Sequence, residues 1–337
     1  MEQGFLKIAA VTPKIKVADP EYNADEIIRL LEEAEKSGAR IAVFPELCLS
    51  GYTCADLFLQ DILLRSCEEQ LIRIVEETDD FDILSFIGLP VEKDGKLYNA
   101  AAVIHQGNVL AFIPKANIPS YAEFYEGRHF TPGNRAPEPF LFGEWEVPFG
   151  TDILFQNGDS LPELVLAAEI CEDVWVADTP GTSHALAGAN VLVNLSASDE
   201  AVGKDTYREM LVKSASARLL SAYIYSSAGE GESSSDLVFG GHNLIAENGV
   251  MLAQSELFTT GILYADIDVR RLCMERRKMN TFPRADRSGY VVVPFELEDT
   301  QTELTRKFEP LPFVPQDTAM REKRCEQILS IQAMGLK

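Results

Sequence analysis

The sequence predicts a mixed α/β layer fold, and three patterns support this prediction. Apolar runs of strand length recur between residues 7 and 268, and amphipathic segments of helical period separate several of them. Hairpin signals occur among these runs, which favours mixed sheets over an all-parallel sheet. The runs RIAVF, LVLAA and VLVNL are continuously apolar rather than alternating, which is typical of strands buried on both faces. We therefore expect sheets that are covered on both sides.

The N-terminal half begins with a predicted strand and helix. Residues 7–15 alternate as a strand. Residues 19–39 are typical of an amphipathic helix, because acidic residues begin it, its apolar residues share one face and Gly38 ends it. The next elements are a strand over 40–46, a helix over 57–78, a strand over 83–91 and a hairpin over 96–115 that turns at Gln106, Gly107 and Asn108.

The second half repeats the alternation of strands and helices after the apolar run 164–170. A helix around 182–189 precedes a strand over 190–198, and a long helix follows from about residue 204 to residue 221. The last elements of this pattern are a strand over 222–228, a hairpin over 237–255 and a strand over 261–268.

The composition changes near residue 275, which predicts a domain over 1–274 and a C-terminal extension over 275–337. The extension has little hydrophobic periodicity, and residues 308–316 (FEPLPFVPQ) form a connector punctuated by prolines. Residues 320–337 are typical of a terminal helix without a core of its own. We expect the extension to pack poorly on the domain and to be ordered in part by another subunit.

Composition excludes several classes of function. The chain has 337 residues with 46% hydrophobic content, enough for a substantial core, and a formal net charge of −23, which argues against nucleic acid or an anionic membrane as a partner. No apolar run approaches membrane-spanning length, and no secretory signal is apparent. Six irregularly spaced cysteines and four histidines give no metal-binding spacing, and no phosphate-binding glycine loop is present. These features predict a cytoplasmic protein without a bound metal.

Three apolar runs end in side chains that can take part in catalysis. Glu46 follows one run, Lys115 follows another and Cys171 ends the third. Strand ends at the carboxyl edge of an α/β sheet are where such folds present reactive groups. A carboxylate, an ammonium and a thiol are the parts needed for acyl transfer through a thioester. Each residue alone also fits an ordinary role, as a capping carboxylate, a surface lysine or a buried cysteine.

The surroundings of Cys171 favour a nearby cation. Glu169, Glu172 and Asp173 flank it. A thiolate among carboxylates is unfavourable unless a positive charge lies close, and Lys115 can supply that charge.

The set formed by Glu46, Lys115 and Cys171 resembles the Glu-Lys-Cys triad of the nitrilase superfamily, which implies a four-layer αββα sandwich. Further segments are similar to the glutaminase domains of glutamine-dependent NAD synthetases, and the resemblance covers essentially the whole chain. These segments are GYTCADLF (51–58), PSYAEFYEGRHFTPG (119–133), NLSASDEAVGK (194–204) and GEGESSSDLVFGGHNLIAENG (229–249).

This resemblance implies a role for each matching residue. Glu46 would act as general base, and Cys171 would attack the side-chain amide of L-glutamine and hold a glutamyl thioester. Lys115 and the backbone N–H of Glu172 would stabilise the oxyanion, while Glu126 would orient Lys115 or the amide. The implied substrate contacts are Tyr52, Tyr121, Phe124, Glu172, Ser198 and Lys204.

The chain departs from the family pattern at two of these positions. Asp199 stands where a proline is common, and Lys204 stands where other members have arginine. Lysine can pair with the α-carboxylate of glutamine but lacks the bidentate fork of arginine.

The resemblance also implies what the glutaminase reaction does not need. It requires no cofactor; ATP, magnesium and deamido-NAD would belong to a synthetase domain, whose Ser-Gly-Gly-x-Asp-Ser loop does not occur in this sequence. The expected partners are L-glutamine, that synthetase domain and further copies of the chain in a homo-oligomer. Two alternatives are a stand-alone nitrilase-type amidase or carbamoylase, and a non-enzymatic regulatory or assembly module with the same fold.

Overall fold

The computed structural model of the protein describes residues 3–308, 310–311, 313–315 and 317–337. The chain divides into two compact units, Met1–Leu304 and Thr305–Lys337. The larger unit contains the predicted domain together with residues 275–304 of the predicted extension.

Two mixed sheets form the centre of the larger unit. The first runs, in spatial order, β14 (Gly261–Asp268), β1 (Phe5–Thr12), β2 (Ile41–Val43), β3 (Leu84–Lys93), β4 (Lys96–His105), β5 (Asn108–Pro114), β7 (Trp145–Phe149) and β6 (Glu138–Phe142). The second runs β13 (Val250–Gln254), β12 (Leu244–Glu247), β11 (Ala222–Ser227), β10 (Val191–Ser196), β9 (Val165–Ile170), β8 (Ile153–Asn157) and β15 (Val291–Phe295).

Helices cover the outer faces of both sheets. In the larger unit, α1 (Pro20–Lys36) and α2 (Asp61–Glu77) cover the first sheet, and α3 (Pro180–Leu186) and α4 (Lys204–Leu219) cover the second. Helix α5 (Val269–Lys278) instead buries Val269 and Leu272 in the core between the two sheets. Helix α1 begins where its sequence predicts, because Asp19 accepts a hydrogen bond from the backbone N–H of Tyr22 and Pro20 occupies the first turn.

Three hydrophobic cores separate the four layers, which confirms the αββα sandwich. One core joins α1 and α2 to the first sheet, a second lies between the sheets, and a third joins α3 and α4 to the second sheet. Strand β2 contributes to two of them, since Ile41 and Val43 face the second sheet while Ala42 faces the helices. Burial on both faces explains why such strands are continuously apolar.

Parallel pairing in the middle of each sheet places several strand ends at one edge. Strands β1, β2 and β3 are parallel, as are β9, β10 and β11. The predicted hairpin of β4 and β5 is also confirmed, with antiparallel pairing from Ala100 opposite Pro114 to His105 opposite Asn108. This topology brings the ends of β2, β5 and β9 toward a common region.

Residues 275–304 differ from the expected poorly packed extension. Strand β15 pairs in parallel with β8, and Phe295 and Leu297 are buried. Pro294 in VVVPF argues against a central strand, but β15 lies at the edge of its sheet, where proline is tolerated. Helix α5 and the hairpin of β6 and β7 were also absent from the sequence prediction. Helix α5 itself crosses the predicted boundary after residue 274.

The smaller unit contains α6 (Thr318–Gly335), which confirms the predicted terminal helix and has no buried residue. Of the predicted connector 308–316, Glu309, Pro312 and Gln316 lie outside the described residues. Its described residues Phe308, Leu311 and Phe313 are exposed. Ordering of this unit by another subunit stays a prediction. In the described part of the chain, none of the helices is long and apolar enough to cross a membrane.

Candidate active site

The predicted triad residues lie at the ends of the three strands that the sequence indicates. Glu46 comes three residues after β2, Lys115 directly follows β5 and Cys171 directly follows β9. The Nζ atom of Lys115 lies 2.6 Å from Oε1 of Glu46, and both side chains are completely buried. A salt bridge without solvent access requires further polar partners, and the surrounding loops supply them.

Glu126 is the second carboxylate on Lys115. Its Oε1 and Oε2 atoms lie 2.7 and 2.8 Å from Lys115 Nζ. Burial alone would lower the pKa of Lys115, but Glu126 and then Glu46 outweigh it, so the pKa is raised well above its usual range. Burial raises the pKa of Glu126, and Lys115 opposes that shift. Lys115 is therefore an ammonium at neutral pH and lies between two carboxyl groups.

Two polar groups fix the carboxylate of Glu46. The side-chain amide of Asn99, on β4, donates to Oε1 at 2.6 Å, and the backbone N–H of Ala197, after β10, donates to Oε2 at 2.9 Å. Each oxygen of Glu46 thus has a neutral donor, and Oε1 also contacts Lys115. This arrangement holds the carboxylate in one orientation.

Cys171 occupies a strained turn between β9 and a 3₁₀ turn over Cys171–Val174, as predicted. Its φ of +43° lies in the left-handed region, which non-glycine residues rarely adopt. Burial raises the pKa of the thiol, Glu46 adds to that shift and Lys115 opposes it. The thiol is therefore protonated at neutral pH and needs a base before it can act as a nucleophile.

Asp173 ties the nucleophile turn to the loop after Lys115. Its carboxylate accepts the backbone N–H of Ile170 at 3.0 Å and both the backbone N–H and the side-chain amide of Asn117, at 2.9 and 2.8 Å. Burial raises the pKa of Asp173, and these donors oppose the shift. The relative position of Cys171 and Lys115 is thus set by a buried carboxylate that the sequence prediction treated only as part of the acidic flank.

The aromatic residues predicted to contact substrate separate into an inner and an outer group. Tyr52 donates to Oε1 of Glu126 at 2.8 Å, so it supports the Lys115 cluster directly. Tyr121 is 57% exposed and donates to Oε1 of Glu172 at 2.9 Å. Its ring meets that of Phe124 edge to face, with centroids 5.9 Å apart.

A cavity of about 190 Å³ opens beside Tyr52 and Glu126, at the edge of the Lys115 cluster. It brings together Tyr52, Phe124 and Glu126, with Phe58 and Leu237 adding apolar walls. Tyr121, Ser198 and Lys204 are not part of its lining, so only some of the predicted substrate contacts share this space.

Asp199 and Lys204, the two positions where the resemblance implies other residues, contact each other. Lys204, at the start of α4, forms an ion pair with Asp199. Its ammonium also lies 5.5 Å from the centre of the Phe124 ring and 5.6 Å from that of Trp175. Each of these two residues therefore has the other as its charge partner.

Ser198 is buried, and its hydroxyl is occupied within the protein. It accepts a hydrogen bond from Nη2 of Arg208 at 3.4 Å. Arg208 also donates to the carbonyl of Asp199 at 3.2 Å and forms an ion pair of 3.0 Å with Glu200. Arg208 on α4 thus fixes the 198–200 loop through all three of its residues. Its position inside a predicted helix does not reveal this role.

Sequence reasoning missed the residues that hold the triad in place. Asn99 and Asn194 lie on strands whose neighbours become known only from the sheet order. Glu232, in the ESSSD run, accepts the backbone N–H groups of Tyr52 at 2.7 Å and Thr53 at 3.0 Å. A possible signal was the polar residue inside an otherwise apolar strand, as for Asn194 in VLVNL. Within the described ranges, no group of three or more His, Cys, Asp or Glu residues is arranged to hold a metal ion.

Comparison with known proteins agrees with this geometry. The carbon-nitrogen hydrolase family matches residues 7–273. A glutamine-dependent NAD(+) synthetase of Mycobacterium tuberculosis is 41% identical over 100% of this chain but only 51% of its own length. The chain therefore spans about half the length of this curated relative.

Solved structures give the same result. A glutamine-dependent NAD(+) synthetase from Cytophaga hutchinsonii matches with a TM-score of 0.70 and 30% identity, over 78% of this chain and 43% of that protein. An amidase from Nesterenkonia sp. matches with a TM-score of 0.63 and 20% identity, over 83% of this chain and 96% of that protein. The second likeness concerns the fold alone.

Proposed function

Because the chain belongs to the carbon-nitrogen hydrolase family, we propose that it is a glutamine amidohydrolase that releases ammonia from L-glutamine through a thioester on Cys171. The observation that carries the proposal is the buried ammonium of Lys115 between Glu46 and Glu126, beside a strained cysteine. Similarity along the whole chain to a protein named glutamine-dependent NAD(+) synthetase supports glutamine as the amide.

The first half of the reaction needs a base and an oxyanion site. Since the pKa of Cys171 is raised, Glu46 takes the thiol proton as sulfur attacks the amide carbon. Lys115 stays charged and stabilises the oxyanion together with the backbone N–H of Glu172. When the tetrahedral intermediate collapses, the C–N bond breaks, Glu46 returns the proton to the leaving nitrogen, and ammonia and a glutamyl thioester result.

The second half reuses the same groups. Glu46 removes a proton from a water molecule that attacks the thioester carbon, and Lys115 again faces the oxyanion. The C–S bond breaks, Cys171 recovers its proton and glutamate leaves. Glu126 keeps Lys115 in place throughout, since it contacts Nζ through both oxygens.

The substrate contacts are divided between the inner and the outer part of the site. We place the glutamine side chain against Tyr52 and Phe124, and its backbone groups near Tyr121, Ser198 and Lys204. Lys204 would receive the α-carboxylate, but only in competition with Asp199.

The ammonia would serve amidation of deamido-NAD in a synthetase domain. This part of the proposal rests on the length of the relatives, of which the chain covers about half. ATP, magnesium and deamido-NAD would bind to that domain, and the glutaminase site itself requires none of them. A cytoplasmic location and a homo-oligomeric state belong to the same proposal.

Glutamine hydrolysis by the chain tests the proposal. Ammonia and glutamate should form in equal amounts, and hydroxylamine should divert the acyl group to γ-glutamyl hydroxamate, since it attacks a thioester. Cys171→Ala should lower turnover by about 10⁴-fold or more, the scale seen when a catalytic nucleophile is removed. Cys273→Ala is the matched control, because Cys273 lies on α5 and its sulfur accepts from the side-chain amide of Asn190 at 3.4 Å rather than from a triad residue.

Other outcomes would redirect the assignment. Hydrolysis of propionamide or N-carbamoyl amino acids without glutamine turnover would favour an amidase or carbamoylase. No hydrolysis of any amide, with Cys171 failing to react with iodoacetamide, would favour a non-enzymatic module.

A further inference from the structure

A buried chain of hydrogen bonds leads from the backbone of Cys171 to Glu169. The Cys171 N–H donates to Oδ1 of Asn194 at 3.1 Å, and Nδ2 of Asn194 donates to the Tyr223 hydroxyl at 3.2 Å. The Tyr223 hydroxyl in turn donates to Oε1 of Glu169. The side chains of Asn194, Tyr223 and Glu169 are all buried.

This chain of hydrogen bonds has a single direction when Glu169 is ionised. The second oxygen of Glu169 accepts the backbone N–H of Gly181 at 2.7 Å, so both carboxylate oxygens act as acceptors. An acceptor at Glu169 makes Tyr223 a donor, and its remaining lone pair then receives the amide of Asn194. This fixes the Asn194 carbonyl toward Cys171, because the amide cannot present both ends to one neighbour.

Cys171 needs such support. A φ of +43° is strained for a residue with a Cβ atom, and it persists only where neighbouring groups hold it. Asn194 holds the amide on the N-terminal side of this residue. The next amide, that of Glu172, is the proposed oxyanion donor, so any rotation of the turn would displace both the sulfur and that donor.

We propose that Asn194, Tyr223 and Glu169 are positioning residues, which set the orientation of the nucleophile turn from the strands beneath it. Their effect on catalysis rests on the proposed glutaminase activity, but their effect on Cys171 does not. Glu169 acts through Tyr223 and Asn194, and none of the three touches the reacting atoms.

The acid–base state of Glu169 is consistent with this role. Burial raises its pKa to about 7, hydrogen bonds from Tyr223, Gly181 and Asn194 lower it, and the neighbouring charge of Asp173 raises it. Burying this carboxyl group in its ionised form is therefore unfavourable, and the hydrogen bonds from Tyr223, Gly181 and Asn194 offset part of that cost.

Tyr223→Phe and Glu169→Gln test the proposal, because both keep the packing. The first removes the hydroxyl that joins Asn194 to Glu169, and the second leaves one acceptor oxygen for the two donors Tyr223 and Gly181. Each should lower kcat for glutamine about tenfold, the scale of one buried hydrogen bond, and leave KM within about twofold. The double variant should be no slower than Tyr223→Phe alone, since a chain broken once gains nothing from a second break. Alkylation of Cys171 by iodoacetamide, followed by peptide mapping, should slow in both variants.

Matched controls separate positioning from general stability. Glu247→Gln removes another buried carboxylate, which lies on β12 of the second sheet and accepts the backbone N–H of Asp268 at 2.6 Å. Tyr290→Phe removes a hydroxyl that contacts Nδ1 of His184 at 2.9 Å. Both controls should keep the wild-type kcat and alkylation rate, whatever their melting temperatures.

Two results would overturn the inference. One is an unchanged kcat and alkylation rate in Tyr223→Phe and Glu169→Gln; the other is an equal fall in the controls. If the wild-type chain hydrolyses no glutamine, the proposed function fails, and the alkylation rates alone still decide whether these residues position Cys171.

Discussion

Lys115 and Tyr121 lie in the same candidate site but are held very differently. Lys115 is completely buried and contacts Glu46 and Glu126 within 2.8 Å. Tyr121 is 57% exposed and reaches Glu172 through a hydrogen bond of 2.9 Å. The buried residues around Lys115 form the inner group, and several partners fix the position of each side chain. The exposed residues around Tyr121 form the outer group, which can rearrange when a ligand binds. Preorganised charge at the reacting centre and adjustable contacts around it are what differential binding of a transition state requires.

Among changes to the inner group, Glu46→Gln should cause the largest loss of activity. We expect kcat for glutamine to fall by about 10²- to 10⁴-fold, the range for loss of a general base, because both thiol deprotonation and water activation depend on it. Steady-state hydrolysis of glutamine measures this, with KM expected to change little. A variant with wild-type kcat would remove Glu46 from the mechanism.

The same variant makes a prediction about pH. Burial is the main reason that the pKa of Cys171 is raised, and it persists in Glu46→Gln. A raised pKa keeps the thiol protonated, so alkylation by iodoacetamide should accelerate about tenfold per pH unit and show no plateau near 8.5, where an ordinary thiol levels off. N-acetylcysteine is the reference thiol. A plateau at the same pH as this reference would contradict the assigned environment of Cys171.

Lys115→Ala should have the next largest effect. It should lower both kcat and the free energy of unfolding. Loss of an oxyanion donor lowers kcat by about 10²- to 10³-fold. Removing the ammonium also leaves Glu46 and Glu126 buried without a counter-ion, which destabilises the fold by about 3–5 kcal/mol. Urea unfolding measures the second effect. Adding Glu126→Gln to Lys115→Ala should restore part of that stability, and a failure to do so would mean that the carboxylates do not depend on Lys115.

The inner and outer groups also differ in how far the sequence predicted them. Glu46, Lys115 and Cys171 were predictable because each ends an apolar run, and parallel strands share an edge. Their partners Asn99 and Asn194 were not, since a single polar residue within a strand does not disclose which strand lies beside it. The same difference applies to the fold. Continuous apolar runs predicted the buried strands. That signal is absent from β15, which has Pro294 at a sheet edge, and from the partly exposed hairpin of β6 and β7.

Tyr121→Phe should produce a smaller change at the rim. It removes the hydrogen bond to Glu172 but keeps the ring against Phe124. We expect KM for glutamine to rise about two- to tenfold, the scale of one hydrogen bond, with kcat within about twofold. Tyr125→Phe is a control on the same exposed segment. A large fall in kcat would place Tyr121 with the inner group and weaken the distinction drawn from burial.

Asp199→Asn should have the smallest effect, and its direction is the informative part. Lys204 is paired with Asp199, so the α-carboxylate of glutamine must compete for the ammonium. An asparagine keeps the shape and leaves the ammonium without its carboxylate partner, so KM should fall rather than rise, by about two- to fivefold, which corresponds to about 0.4–1 kcal/mol. In a Lys204→Met background the same change should leave KM unaltered, because no cation remains to be released. Comparing the four proteins isolates this coupling from any general effect of Asp199 on the 198–200 loop. A rise in KM that persists without Lys204 would mean that Asp199 contacts glutamine itself, and that the rim recognises the amino acid through its ammonium group as well.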